Sequence, residues 1–352
     1  MTELPSEHDL LTLPKVELHL HLNGAISEAT AATLAGRYGE DPERALRLVD
    51  GHYPYPYSSF HDFLDAYLAA NSFVRDPDDL EFVAAEFARA QAAQNVVYSE
   101  AQFTAMILVR QGMEPQGMWA ALKRGLAAAG PEVRIGLIVD VIRNLGREEA
   151  EATLRLVEEA DAPIVGLGLT GVEGSVPITE FVEFRAAARR LGLGFTIHAG
   201  ETGADPVQSM VESLDILETD RIGHGVAAVR DQPLLERLVR DQVPLEVCPS
   251  SNVGIGLFPT LEVHPVVSFW TAGVNLTISS DDPPFFGITM IDELRNFVRL
   301  TGASRDDLAE LQRRGARAAF AGEEVKARLL SQIDSWADSN NVRNETLASP
   351  AR

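Results

Sequence analysis

Apolar residues recur along this chain in two alternating rhythms. Eight short runs are alternating or continuously apolar and read as strands: Val16–Leu22, Val96–Phe103, Arg134–Val141, Ile164–Leu169, Gly194–His198, Arg221–His224, Leu245–Cys248 and Val274–Ser280. Helical spacing fills most of the gaps between them. Leu80–Ala93 repeats Ala, Phe and Val at helical intervals. Glu148–Ala160 sets Leu154 and Val157 on one face and Glu and Arg on the other. Ile178–Leu191 and Pro233–Arg240 follow the same rule. Strand and helix alternating in this way predict an α/β fold, a parallel sheet closed as a (β/α)8 TIM-type barrel. An open doubly wound sheet would carry a Gly-rich phosphate loop after its first strand, and Leu22-Asn23-Gly24-Ala25 is not one.

The rhythm breaks once. About 70 residues separate the first strand from the second, more than one barrel helix needs. That segment contains Tyr53-Pro54-Tyr55-Pro56-Tyr57 and the apolar-rich Phe60–Leu68. It is expected to form a helical insertion, spanning about 24–95, that covers the top of the barrel as a lid. Phe60 and Phe63 are read as helix-packing residues ahead of pocket residues. Residues 1–336 are expected to form a single domain. The polar stretch 337–352 shows little periodicity and is expected to be a flexible tail.

Composition narrows the function classes. The hydrophobic fraction of 45% suits a globular protein with a large core. No apolar run approaches the roughly 20 residues that cross a bilayer. The net charge of −22 repels nucleic acid backbones and anionic membrane surfaces, so a small-molecule substrate is expected. The single Cys248 excludes an internal disulfide and a Cys-rich zinc site. The polar, acidic start, Met1 to Asp9, lacks the features of a secretory leader, and a cytoplasmic protein is expected.

The candidate chemistry collects at strand ends. His19 and His21 lie two apart on the first strand and so point to one side of it. His198 ends the fifth strand, in His198-Ala199-Gly200-Glu201, and His224 ends the sixth. Asp281 and Asp282 follow the eighth. In a barrel these ends meet on one rim. Taken singly, an aspartate before Pro283 is a turn residue and Glu201 is a helix cap. Their meeting at one rim favours a site. Imidazoles with a carboxylate suit zinc, with iron or cobalt as alternatives. A divalent ion held there lowers the pKa of water to about 7. Glu201 could then handle protons, and His224 could orient or deprotonate the water. His8, His52, His61 and His264 fall outside this pattern and are read as structural or surface groups.

Pro14-Lys15-Val16-Glu17-Leu18-His19-Leu20-His21-Leu22-Asn23-Gly24, His198-Ala199-Gly200-Glu201, Arg221-Ile222-Gly223-His224-Gly225 and Ser280-Asp281-Asp282-Pro283 together resemble the motif set of the adenosine deaminase family, within the amidohydrolase superfamily. The resemblance runs from residue 14 to about 290. It implies a (β/α)8 barrel, one zinc ion per chain and hydrolytic removal of the exocyclic amine of a 6-aminopurine. It further implies His19, His21, His198 and Asp281 as zinc ligands and Glu201 as the acid that protonates the ring at N1. His224 would position and help deprotonate the attacking water. Asp282 would hydrogen-bond the ring at N7, and Gly171 resembles the backbone donor to N3.

Two departures bear on substrate choice. Asn23 stands where the family usually has an acidic residue, and a carboxamide that can both donate and accept need not demand a free 5′-hydroxyl. Thr170-Gly171-Val172-Glu173 replaces a more polar family segment with Val172. A 5′-modified adenosine such as 6-amino-6-deoxyfutalosine, a substrate of menaquinone biosynthesis, is the expected substrate, with adenosine close behind. Alternatives are N6-methyl-AMP, adenine, or the substrate of another metal-dependent barrel hydrolase. The last option commonly needs a Lys at the end of the fourth strand, and none is found there. Cytidine-type deaminases need a Cys-x-x-Cys pair that Cys248 alone cannot supply.

Overall fold

The computed structural model describes residues 4–348. Eight parallel strands stand side by side in chain order: β1 Lys15–His21, β2 Val96–Phe103, β3 Arg134–Ile142, β4 Ile164–Thr170, β5 Gly194–Ala199, β6 Arg221–His224, β7 Leu245–Val247 and β8 Leu276–Ile278. The seam between β8 and β1 is made by the backbone around Asp281. Its N–H donates to His19 O at 3.2 Å, and its carbonyl accepts from His21 N–H at 2.9 Å. The expected TIM-type barrel is therefore what the chain forms. β8 is shorter than the apolar run Val274–Ser280 that announced it. The backbone leaves the sheet at Ser279, whose N–H still reaches Val247 O and whose hydroxyl accepts from the His19 N–H.

Helices ring the strands. Several start on an acidic cap with proline just inside the first turn, a pairing that satisfies free N–H groups and presets the helical φ. Asp76-Pro77, Glu114-Pro115, Asp205-Pro206 and Asp231-Gln232-Pro233 are of this kind. The chain opens on α1 (Glu7–Thr12). Between β1 and the outer ring come α2 (Glu28–Arg37), α3 (Pro42–Ala45) and α4 (Phe60–Asn71), followed by α5 (Pro77–Ala93). α5 packs on the helix Pro115–Leu126, where Gly125 comes so near that an added Cβ would lie 2.6 Å from the Ala84 methyl. α5 is thus a ring helix, and the inserted segment proper ends before it. The last helix runs Glu323–Ala348. Residues 337–348, read as non-periodic from sequence, are helical; no Pro or Gly interrupts them. Residues 349–352 lie outside the described part. Among the described residues no helix is long and apolar enough to cross a membrane.

The alternation of β1 sorts its side chains into two environments. Val16, Leu18 and Leu20 join apolar clusters. Glu17, His19 and His21 take the other side, and all of these residues are buried. There they meet a polar interior that includes Gln102, Asp140, Thr196 and Glu246. Arg221 sits in that interior between two carboxylates, with Glu100 at 2.6 Å and Glu246 at 2.5 Å, and stacks on the Phe320 ring at 3.6 Å. Removing one member of such a buried group costs about 3–5 kcal/mol, because its partners are left as uncompensated charges.

Candidate active site

Each of the site histidines and Asp281 comes from a strand or the turn just after it. His198 ends β5 one residue before Ala199, and His224 closes β6 with φ +62°. Asp281 has φ +64°. Left-handed backbone at a residue with a side chain costs of order 1 kcal/mol or more and persists only where surroundings enforce it. The β1–β8 seam enforces it at Asp281. At His224 the following Gly225 N–H is anchored to Ala199 O at 3.1 Å.

These residues converge. His19, His198, His224 and Asp281 each offer a ligand atom within 4.8 Å of all the others. His21 completes the cup: its Nε2 lies 3.1 Å from His198 Nε2 and 3.3 Å from Asp281 Oδ1. Outer groups set the rings. Glu246 Oε2 stands 2.8 Å from His19 Nδ1, and the Leu169 carbonyl accepts from His198 Nδ1–H at 3.2 Å. In neutral rings both bonds leave a lone pair on Nε2, the arrangement that second-shell acceptors impose on imidazole ligands. His19 Nε2 is buried without a hydrogen-bond partner. Burial pushes the His19 pKa down, but the carboxylates of Asp281 and Glu246 outweigh it and raise it to about 10. A buried, unpartnered nitrogen in surroundings that favour positive charge fits a cation at the centre of the cup. Nitrogen and oxygen donors without thiolate fit zinc among other divalent ions.

Beside the cup lie two carboxyl groups whose pKa values are raised. Burial, with Asp281 and Glu173 nearby, raises the Glu201 pKa to about 8. Burial and the adjoining Asp281 raise that of Asp282 to about 7. Asp282 fits only because residue 24 is glycine: a Cβ there would sit 1.5 Å from Asp282 Oδ1. A carboxyl group whose pKa is raised toward neutrality can hold a proton to donate.

His21, His198, His224, Asp281, Glu201 and Asp282 form the floor of a cavity of about 380 Å³. That volume is within the ~300–1,000 Å³ of sites for small organic ligands. Gly171, with φ +88°, lies on the wall. The mouth is apolar and includes Phe60, Leu64, Leu68, Ile107, Ile142 and Val172. Neither Lys nor Arg is among the lining residues. Phe60 and Phe63, read from sequence as packing residues, both line the cavity, and Phe63 also stacks on Phe286 with centroids 5.2 Å apart.

Asn23 lies apart from the other expected site residues. It does not line the cavity. Its Nδ2 donates to Asn71 Oδ1 at 3.1 Å, its Oδ1 accepts from Thr104 N–H at 3.1 Å, and its carbonyl accepts from Asn71 Nδ2 at 2.9 Å. The carboxamide ties the end of β1 to α4 and to the end of β2 and does not face the ligand space. Two supporting residues escaped the sequence reading. Glu173, buried, accepts from the backbone N–H groups of Gly200, Glu201 and Thr202 at 2.8, 2.8 and 2.7 Å and so fixes the loop that carries Glu201. Asn252 reaches both Glu201 and His224. The stretch around Glu173 was visible as a departure from a motif, but nothing in the sequence links it to residues 200–202.

A barrel with a histidine–aspartate cup compatible with a metal, beside carboxyl groups of raised pKa, is the arrangement of a hydrolytic deaminase of the amidohydrolase type, acting on C–N bonds. A family model described as adenosine deaminase matches residues 14–336, and the chain belongs to that family. It is 35% identical over 336 residues to an aminodeoxyfutalosine deaminase of Streptomyces coelicolor, covering 92% of this chain and 84% of that one. It is also 35% identical over 340 residues to an adenine deaminase of the same organism, covering 93% and 96%. Among solved structures, an amidohydrolase from Burkholderia ambifaria with bound Zn superposes with a TM-score of 0.83 at 26% identity, over 97% of this chain and 96% of that one.

Proposed function

We propose that this chain hydrolyses the exocyclic amine of a 6-aminopurine nucleoside extended at its 5′ end, such as 6-amino-6-deoxyfutalosine, with one zinc ion held by His19, His21, His198 and Asp281. Zinc in that cup supplies Lewis acidity toward water near neutral pH. Glu201, carrying its proton, donates it to ring N1, which makes C6 electrophilic. Asp282, also protonated, donates a hydrogen bond to N7, and the Gly171 N–H serves N3. His224 stands over the side from which water adds to C6. Water adds, ammonia leaves, and a 6-oxo purine remains. α4 acts as the roof of the site.

The single observation that carries the substrate choice is the cavity itself, polar at the floor and apolar at the mouth, with no cationic residue in its lining. A phosphorylated substrate such as N6-methyl-AMP would find no cationic partner there for its phosphate. An apolar or aromatic 5′ group would bury against Phe60, Leu68 and Val172. The identity to the Streptomyces coelicolor aminodeoxyfutalosine deaminase supports this reading. The equal identity to an adenine deaminase makes free adenine the second reading.

Ammonia release from adenine, adenosine, N6-methyl-AMP and 6-amino-6-deoxyfutalosine, with metal content measured in parallel, tests both readings. The expected result is one zinc per chain, loss of turnover on chelation, recovery with zinc, and the highest kcat/KM for the 5′-extended nucleoside. Highest kcat/KM for adenine would install the second reading in its place.

A further inference from the structure

We infer that Asn252, fixed by His264, is a positioning residue that holds Glu201 and His224 side by side and decides which ring nitrogen of His224 carries its proton. The inference rests on deamination at this site. It begins from one donor whose identity is not open to choice, the backbone N–H of Val266. That N–H donates to His264 Nδ1 at 3.1 Å, so Nδ1 of His264 bears a lone pair. The ring is buried and burial lowers its pKa to about 4, which keeps it neutral. Its one proton is therefore on Nε2, 3.1 Å from Asn252 Oδ1. An N–H facing the carboxamide requires the oxygen there and turns the amino group the other way.

The turned amino group has two N–H bonds and two neighbours. Nδ2 lies 3.1 Å from Glu201 Oε1 and 3.3 Å from His224 Nδ1, nearer to each than the 3.4 Å that separates those two atoms from one another. An amide nitrogen only donates, so both neighbours must accept. His224 Nδ1 then bears no proton, and the proton of the neutral ring sits on Nε2. Asn252 can enforce this because it is itself immobile. It is fully buried in the helix Pro249–Gly254, its N–H reaches Cys248 O, and its carbonyl accepts from Leu257 N–H. The Phe258 ring packs edge-on against His264 with centroids 4.9 Å apart.

The chemical consequence separates His224 from His19 and His198. His19 Nδ1 faces the Glu246 carboxylate at 2.8 Å, nearer than the Gln102 amide nitrogen at 3.2 Å, and His198 Nδ1 faces the Leu169 carbonyl, so both present Nε2 lone pairs to the cup. His224 faces a donor and has the opposite tautomer. In its neutral form it offers an N–H at Nε2, so it orients or stabilises an oxygen by donating to it. It neither ligates a metal nor takes a proton through that atom.

The test uses zinc-loaded protein with 15N-labelled histidine, the His224 signals assigned through a His224→Gln variant. The expected spectrum shows His224 protonated at Nε2 and His264 at Nε2. Asn252→Asp replaces the donor with an acceptor. It is expected to move the His224 proton to Nδ1 and to lower kcat roughly 10–100-fold, with KM within a few-fold and zinc still at one per chain. His264→Phe should lower kcat in the same direction. The double variant Asn252→Ala/His264→Phe should be no slower than Asn252→Ala alone, because His264 acts only through Asn252. A wild-type His224 protonated at Nδ1 would overturn the inference even if every variant misfolds. So would independent, multiplying losses in the double variant, or losses that track zinc content.

Discussion

The floor and the mouth of the cavity are built by different means. The floor is made by strand ends and the turns that follow them. Its histidines and both aspartates are buried, and three of its imidazoles have a hydrogen-bond partner on the outward nitrogen: His19 in Glu246, His198 in Leu169 O and His224 in Asn252. The mouth draws on α4, the helix Ala105–Arg110, the last residue of β3 and the loop after β4, and its apolar residues are partly exposed, Leu68 at 48% and Val172 at 52%. Reaction chemistry needs groups held to fractions of an ångström, which strands provide. Choice among 5′ groups needs only apolar surface of the right extent, which one exposed helix face provides. Damage to the floor should therefore appear in kcat, and damage to the mouth in the ranking of substrates.

The comparison is tested most sharply by Glu201→Gln. It keeps the shape of the floor and removes the transferable proton, and kcat is expected to fall about 10²–10⁴-fold with zinc retained. Metal analysis beside steady-state rates checks this, and an undiminished kcat would take proton donation away from Glu201. Glu173→Gln comes next. It leaves one acceptor oxygen where three backbone N–H groups now share a carboxylate, and kcat should drop roughly 10–100-fold while KM moves little. Loss of KM alone would place Glu173 with the mouth.

At the mouth, Leu68→Ala should lower kcat/KM for an aryl-extended nucleoside about 10-fold and leave that for adenine unchanged, since a trimmed apolar wall is worth about 1–3 kcal/mol to the group it touches. A uniform loss across substrates would show that α4 serves the floor as well. The smallest effect on turnover is expected from Glu293→Gln, behind the floor, where Glu293 accepts from Ser250 N–H at 2.9 Å. Burial raises its pKa from an ordinary 4.5 to about 8. The folded state thus binds this proton more tightly than the unfolded one. The stability it contributes is complete below pH 4.5 and is lost as pH rises toward 8. Relative to the wild type, the glutamine variant should gain roughly 3–5 kcal/mol of unfolding free energy between those limits. Denaturant midpoints at pH 5 and pH 8.5 measure it, and equal shifts at the two pH values would count against a buried neutral carboxyl.

The floor was legible in the sequence and the mouth was not, for a physical reason. Alternation puts His19 and His21 on one side of β1 whatever the rest of the chain does, and the barrel then brings the ends of β5, β6 and β8 to them. No such rule governs Asn23. It lies just past its strand, and Asn71, a partner 48 residues away in the insertion, turns its amide from the cavity. Asn252 and His264 are likewise ordinary residues until the turn after β7 folds them together. Phe60 and Phe63 satisfied a helix-packing pattern and still line the cavity, because a helix laid across a cavity packs and lines with the same face.

Asp281 closes the cylinder with its backbone and faces its three histidines with its carboxylate. Cyclisation of the sheet and assembly of the reactive centre are thus one molecular event. A chain in which the first and last strands have not yet zipped together is chemically silent, so catalytic activity during refolding would report completed ring closure and no earlier stage.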